Sequence, residues 1–362
     1  MYQKQRHPTA YSPSIRGWLT VAAAGLAIAA PTTGRAVVIA GSGGLGPGDF
    51  TTAPGVAVNG INHDGIGELR IRTDQGGFRG SSALLWTGRH LITAAHVVTG
   101  NSGAIDLSST RNSRVTFELS GGSTSYNFRA DDVTVHPLWT GSLLGGRDLA
   151  LIDLGQVIDA EVPRYNLLTG TSFTDDIEDQ AFTMFGYGRT GTGLTGDTQD
   201  SGTKRWGMNQ YELNFTSARI GYDFDNGLAD QDYIGEVFGK PDLGLGDFEA
   251  SSAPGDSGGA TFFSDPDAPA GGWIVGITSY GSRDSRTDIN NGLNASFGEY
   301  SVDTDVSELA SWVFSELGSQ PIPEPSGRLL FLFCAAAACS RPVVLRTING
   351  PGLSRTDRKT AS

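Results

Sequence analysis

The chain has 362 residues, 26 basic against 39 acidic groups for a formal net charge of −13, 51 glycines and 2 cysteines. Such a balance repels polyanions and argues against nucleic acid or an anionic membrane surface as a partner. Both cysteines, Cys334 and Cys339, lie near the C-terminus, so the rest of the chain must rely on packing and hydrogen bonds, which its length allows.

In chain order, Lys4, Arg6 and Arg16 precede the apolar run Trp18 to Ala30, and small residues follow in TTGRA, ending at Ala36. This order of basic, apolar and small predicts a secretory signal peptide over 1–36 and an exported protein. Residues 37–55 are open as a propeptide. From there the chain reads as short runs rich in β-branched and aromatic residues, separated by glycine-rich turns: GELRIRT (67–73), SALLWT (82–87), HLITA (90–94), RVTFEL (114–119), DDVTVH (131–136), LALIDL (149–154), AFTMFGYG (181–188), ATFF (260–263) and WIVGITSYG (273–281). Repeated short strands without intervening amphipathic helices predict an all-β domain.

Two stretches, 189–204 and 222–233, read as long surface loops. The second clusters Asp223, Asp225, Asp230 and Asp232, but their spacing does not match the twelve-residue calcium loop, so a solvated acidic loop is the expectation. One helix is predicted near the end: Val306, Leu309, Ala310, Val313, Phe314 and Leu317 form one apolar stripe, with Asp305 and Glu308 as a start signal and Gly318 as a stop. Beyond it come the Pro-containing linker, Pro323-Glu324-Pro325, an eleven-residue apolar stretch from Leu329 to Cys339 too short to span a bilayer, and a basic remainder. The tail over 319–362 resembles a PEP-C-terminal sorting signal, found on exported bacterial proteins, which would imply a protein secreted or held at a bacterial cell surface and a sorting or processing enzyme as a partner.

The stretch GDSGG (255–259) places a hydroxyl among glycines. A serine becomes a nucleophile when a base takes its proton, most often histidine. The five histidines, His7, His63, His90, His96 and His136, all precede Ser257, which excludes the α/β-hydrolase arrangement, where the histidine follows the serine. His96 lies in HLITAAHVV, where small neighbours leave room for a substrate. The imidazole needs a carboxylate to fix its tautomer. Asp148, opening the strand in GRDLALIDL, is the candidate, and Asp153 in the same run is its rival.

TAAH (93–96), DLAL (148–151) and GDSGG (255–259), in that order, together with VHPLW (135–139), FGYG (185–188) and IVGITSYG (274–281), resemble the trypsin- or chymotrypsin-like serine peptidases. The resemblance implies an all-β fold of two antiparallel six-stranded β-barrels with a C-terminal helix, a domain over 56–318 whose halves meet near 155–180, and a cleft between them. It implies a serine endopeptidase, a monomer acting on protein or peptide substrates, with His96, Asp148 and Ser257 catalytic, Gly255 and Ser257 forming the oxyanion hole, and no metal or organic cofactor. Ser251, Ser279, Gly281 and Gly298 become substrate-binding positions. A serine at 251 offers no carboxylate to a basic side chain, so cleavage after large apolar or aromatic residues is expected unless Glu249 or Glu299 swings in. Asp256 becomes the partner of a freed N-terminal amine, with Val56 fitting by distance and Val37 as its rival. Val97 stands where the family's cysteine beside the histidine would be. The alternative is a non-catalytic cell-surface binding protein of the same fold.

Overall fold

Alternation of apolar and polar side chains builds the strands that the sequence predicts, and pairing between distant segments adds others. The protein is described here by a computed structural model covering residues 37–41, 43–73, 76–100 and 113–321. The signal peptide expected over 1–36 and the sorting tail from residue 322 onward, with Pro323-Glu324-Pro325 and both cysteines, lie outside the described residues.

The chain enters through β1 (Val38–Ile39). The first half then forms β2 (Ile66–Thr73), β3 (Gly76–Leu84), β4 (His90–Thr93), the single turn α1 (Ala95–Thr99), β5 (Ser113–Leu119), β6 (Gly122–Phe128), β7 (Val133–Val135) and β8 (Ala150–Asp153). These strands make one antiparallel sheet in the order β6-β5-β2-β3-β4-β8-β7. In β2 the alternation is plain: Leu69 and Ile71 are buried while Arg70 and Arg72 are exposed.

The second half contributes β9 (Asn166–Leu167), β10 (Ala181–Gly186), β11 (Thr190–Thr192), β12 (Gly196–Gln199), β13 (Arg205–Gln210), β14 (Leu213–Asn214), β15 (Arg219–Asp223), α2 (Tyr233–Phe238), β16 (Ala250–Ser251), β17 (Ala260–Ser264), β18 (Gly272–Arg283), β19 (Glu299–Asp305) and α3 (Val306–Leu317). Its main sheet runs β13-β10-β17-β18-β19-β15-β14, with β9 added parallel to β18. A smaller sheet runs β12-β11-β1-β16. The expected all-β architecture is present. The ladders hold seven and eight strands rather than six, because short pieces such as β7, β9 and β14 extend them.

Helix α3 matches its prediction. Asp305 caps its start through the Ser307 N–H at 2.8 Å, Gly318 ends it, and Val306, Leu309, Ala310 and Val313 are buried. Each fully buried Val or Leu contributes about 1.5 to 3 kcal/mol. The helix returns to the first half, where Trp312 meets the His136 ring at 4.9 Å and Phe314 meets Trp86 at 5.7 Å. Glu308 does not complete a reciprocal cap; it accepts the Ala218 N–H at 2.9 Å.

Both predicted surface loops are corrected. Segment 189–204 contains β11 and β12, and β11 pairs in parallel with β1, a partner some 150 residues away that no local pattern announces. Segment 222–233 begins in β15, and Asp223, Asp225 and Asp232 are buried there, with only Asp230 of the four exposed. Of residues 37–55, open as a propeptide in sequence, Val37, Ile39 and Phe50 are buried in the core of the second half.

Candidate active site

Strand β4 leads directly into α1, so His96 emerges one residue inside that turn, held by Ala94, Ala95 and Val97, all buried. Its Nδ1 lies 2.6 Å from Asp148 Oδ2, and its backbone N–H donates to Asp148 Oδ1 at 2.8 Å. Asp148 is 1 % exposed, and its Oδ2 also accepts the Ser279 hydroxyl at 2.6 Å. Its backbone carbonyl receives Thr304 Oγ1 at 3.0 Å. A buried carboxylate with three donors is oriented from both halves of the molecule, which fixes Nδ1 of the ring as the protonated nitrogen.

Asp153, the rival, is elsewhere. It pairs with Arg89 through two contacts of 2.5 and 2.6 Å, and that guanidinium holds its carboxyl below the usual range. The other described histidines also have separate surroundings: His90 Nδ1 meets Thr87 Oγ1 at 2.9 Å, His136 packs on Trp312, and His63 is fully buried with its pKa lowered to about 4, chiefly by desolvation.

Ser257 sits half-buried on the turn between β16 and β17. The turn is pinned on both sides: Gly258 N–H donates to Thr278 O at 2.8 Å, and the Ser81 N–H of β3 donates to Ser257 O at 2.9 Å. The Ser81 hydroxyl donates to Gly255 O at 3.2 Å and accepts the Tyr187 N–H at 3.1 Å. Ser81 thus clamps the turn from the opposite half, a role absent from the sequence reading; its only local signal is a polar residue at a fully buried strand position. Glycine is required here by contact and conformation. Gly255 has φ +102 with its missing Cβ aimed 2.8 Å from Gly188 Cα, and Gly258 has φ +81 facing Thr93 Oγ1 at 2.0 Å.

Among the described residues, the N–H groups of Gly255 and Ser257 donate to no protein acceptor. Those two donors are therefore unspent beside the hydroxyl. The Ser257 hydroxyl and His96 Nε2 are not joined by a hydrogen bond in this structure, so the nucleophile and the imidazole are presented without their direct contact.

The expected substrate-binding positions separate into two groups. Ser251 is buried, and its Oγ lies 3.1 Å from Ser301 Oγ, which Ser252 Oγ also meets at 3.0 Å. Gly281 pairs with Ser301 across β18 and β19, so Ser251, Gly281 and Ser301 lie together. Gly298 stands at a turn with φ +83, its Cβ position 1.9 Å from Thr287 O, and Ser279 is committed to Asp148. Neither glutamate is free to swing. Glu249 accepts the Asp225 and Leu245 N–H groups, and Glu299 accepts those of Asn294, Ala295 and Ser296.

Asp256 is buried at 2 % exposure. Its Oδ1 accepts Gly188 N–H at 2.8 Å, and its Oδ2 accepts Ala253 N–H at 2.9 Å and Val37 N–H at 3.1 Å. Burial still raises its pKa to about 6. Val37, 1 % exposed, is thus the residue at Asp256, while Val56 is 58 % exposed.

The family model described as Trypsin matches residues 62–313, a span holding all three members of the triad candidate. No individual curated protein matches the chain.

Proposed function

Since the chain belongs to the trypsin family, we propose that it is an exported serine endopeptidase working through His96, Asp148 and Ser257. The observation that carries this reading is the buried Asp148 carboxylate held 2.6 Å from His96 Nδ1. With Nδ1 so occupied, His96 Nε2 is the nitrogen that takes the Ser257 proton as Oγ attacks the scissile carbonyl carbon. The carbonyl oxygen becomes negative and receives the unspent N–H groups of Gly255 and Ser257, an interaction strongest in the transition state. His96 then returns the proton to the leaving amine, leaving an acyl group on Ser257. Water enters, loses a proton to His96 and releases the acid by the same steps in reverse.

Cleavage between Ala36 and Val37 would end export and free the Val37 amine in one event. The Val37 N–H donates to Asp256 Oδ2 at 3.1 Å, so an ammonium formed there would meet the carboxylate one residue before the nucleophile and be neutralised where it orders the Ser257 turn. For the residue before the scissile bond, the serine trio at 251, 252 and 301 offers hydroxyls, and Glu249 and Glu299 are committed to backbone donors, which favours large apolar or aromatic side chains over Lys or Arg.

A fluorophosphonate probe tests the central claim. Folded protein beginning at Val37 should be labelled at Ser257 and nowhere else, and Ser257→Ala should abolish labelling. No adduct on that folded protein would instead support a binding protein of the same fold.

A further inference from the structure

The acidic residues at the end of β15 and just after it form a buried oxygen cluster away from the triad residues in sequence and bonding. Asp223, Asp225 and Asp232 are 1, 2 and 2 % exposed. One carboxylate oxygen from each lies within 4.8 Å of the other two. Two oxygens bound to one calcium ion at about 2.3 to 2.6 Å can be separated by up to that much.

Much of this oxygen is unspent. Both carboxylate oxygens of Asp225 and Oδ1 of Asp223 have no hydrogen-bond partner. Glu212, a 4 % exposed residue between β13 and β14, sets its carboxyl against that of Asp223 within hydrogen-bonding reach, and no N–H or hydroxyl donates to its Oε2. Buried, unpaired carboxylates are costly, so such a group calls for a proton or a cation. The remaining oxygens hold the frame: Asp223 Oδ2 accepts Ile234 N–H at 2.6 Å, and Asp232 caps α2 through Gly235 N–H while its Oδ2 accepts Asp242 N–H at 3.3 Å. Among the described residues no Lys, Arg or His forms an ion pair with Asp223, Asp225, Asp232 or Glu212. The nearby Lys240 is turned to Glu178 and to the Glu212 backbone carbonyl.

We propose that Asp223, Asp225 and Asp232, joined by Glu212, bind one calcium ion. The donor set is oxygen only, which disfavours zinc and copper. It is carboxylate-rich and irregular, which suits calcium better than magnesium, an ion that demands near-octahedral geometry and keeps its waters. A surface cavity of ≈ 250 Å³ lined by Glu178, Asp179, Glu212, Lys240, Pro241 and Asp242 shares Glu212 with the cluster. The site braces the segment leading to Ser251. Asn209 Nδ2 donates to Asp223 O at 2.7 Å and to Ala250 O at 3.1 Å, and Asp225 N–H donates to Glu249 Oε1 at 2.8 Å.

The experiment uses the Ser257→Ala protein, so that autolysis and peptidase activity do not enter and a negative result leaves the peptidase reading untouched. After treatment with EDTA and its removal, it is titrated with CaCl2 by calorimetry and by thermal melting. One ion per chain is expected, with a melting temperature raised by roughly 5 °C at a hundredfold excess over the dissociation constant, and a far smaller rise with MgCl2. Asp225→Asn should weaken binding at least tenfold, and Asp232→Asn, which keeps a helix-capping side chain, carries the same expectation should Asp225→Asn not fold. Absence of a calcium-dependent shift, or an undiminished shift in a folded variant, would overturn the proposal. So would a wild-type cluster that ignores calcium while Glu212→Gln raises the melting temperature in EDTA, since protons would then be its occupants.

Discussion

Starting the chain one residue early should cost most of the activity. In the structure Val37 nitrogen lies 3.1 Å from Asp256 Oδ2, in surroundings where the carboxyl is raised to about 6 by burial. A pKa about two units above the ordinary value means the charged carboxylate is disfavoured there by about 3 kcal/mol. A free ammonium at that distance supplies an attraction of about 5 kcal/mol at an effective dielectric of 20, enough to reverse the preference. Losing one partner of such a buried pair costs about 3 to 5 kcal/mol, which corresponds to roughly 10² to 10⁴ in the population of the ordered Ser257 turn. Protein released from a fusion to begin at Val37 is compared with protein beginning at Ala36, and with Asp256→Asn beginning at Val37. The assay is the second-order rate of fluorophosphonate labelling together with peptide hydrolysis. Both altered proteins should fall by that factor while remaining folded by circular dichroism. An Ala36-initiated protein within fivefold of the Val37-initiated one refutes the reasoning, as does full activity in a protein beginning at Val56.

Ser257→Ala and His96→Ala should each lower kcat by about 10⁶, and the double variant should fall no further, because the two groups act as one unit; a loss equal to the product of the single effects contradicts that. Cleavage of a peptide library should occur after Phe, Tyr, Leu or Met, and dominant cleavage after Arg or Lys would defeat the pocket argument. Asp303 is fully buried, accepts the Tyr211 hydroxyl at 2.6 Å and has its pKa raised by desolvation to about 7. Its neutral form is the one the fold prefers, so its contribution to stability is complete below about pH 4 and declines by up to about 4 kcal/mol as the pH rises to about 7. Urea midpoints at pH 4.5 and 7.5 should therefore fall more steeply with pH in the wild type than in Asp303→Asn, and parallel trends would remove the assignment.

The sequence by itself determined the parts that depend on local order. Alternation over Ile66–Thr73 and the apolar stripe of Val306–Leu317 encode a strand and a helix because burial of one face is a short-range periodicity. The order of His96, Asp148 and Ser257 was legible because each has a distinctive local setting: small residues before His96, an apolar strand opening at Asp148, and glycines around Ser257. Tertiary structure decided what depends on pairing across long separations. Val37 and Asp256 are 219 residues apart, and the hydrogen bond between them could not be read from spacing along the chain, by which Val56 fits. Parallel pairing with β1 turned a glycine- and threonine-rich stretch into β11, since ladder hydrogen bonds need no side-chain pattern. Spacing between the aspartates of 222–233 argued for solvent, yet α2 and the segment bearing Glu212 enclose them. Burial is set by what packs on top, and that information resides in other parts of the chain.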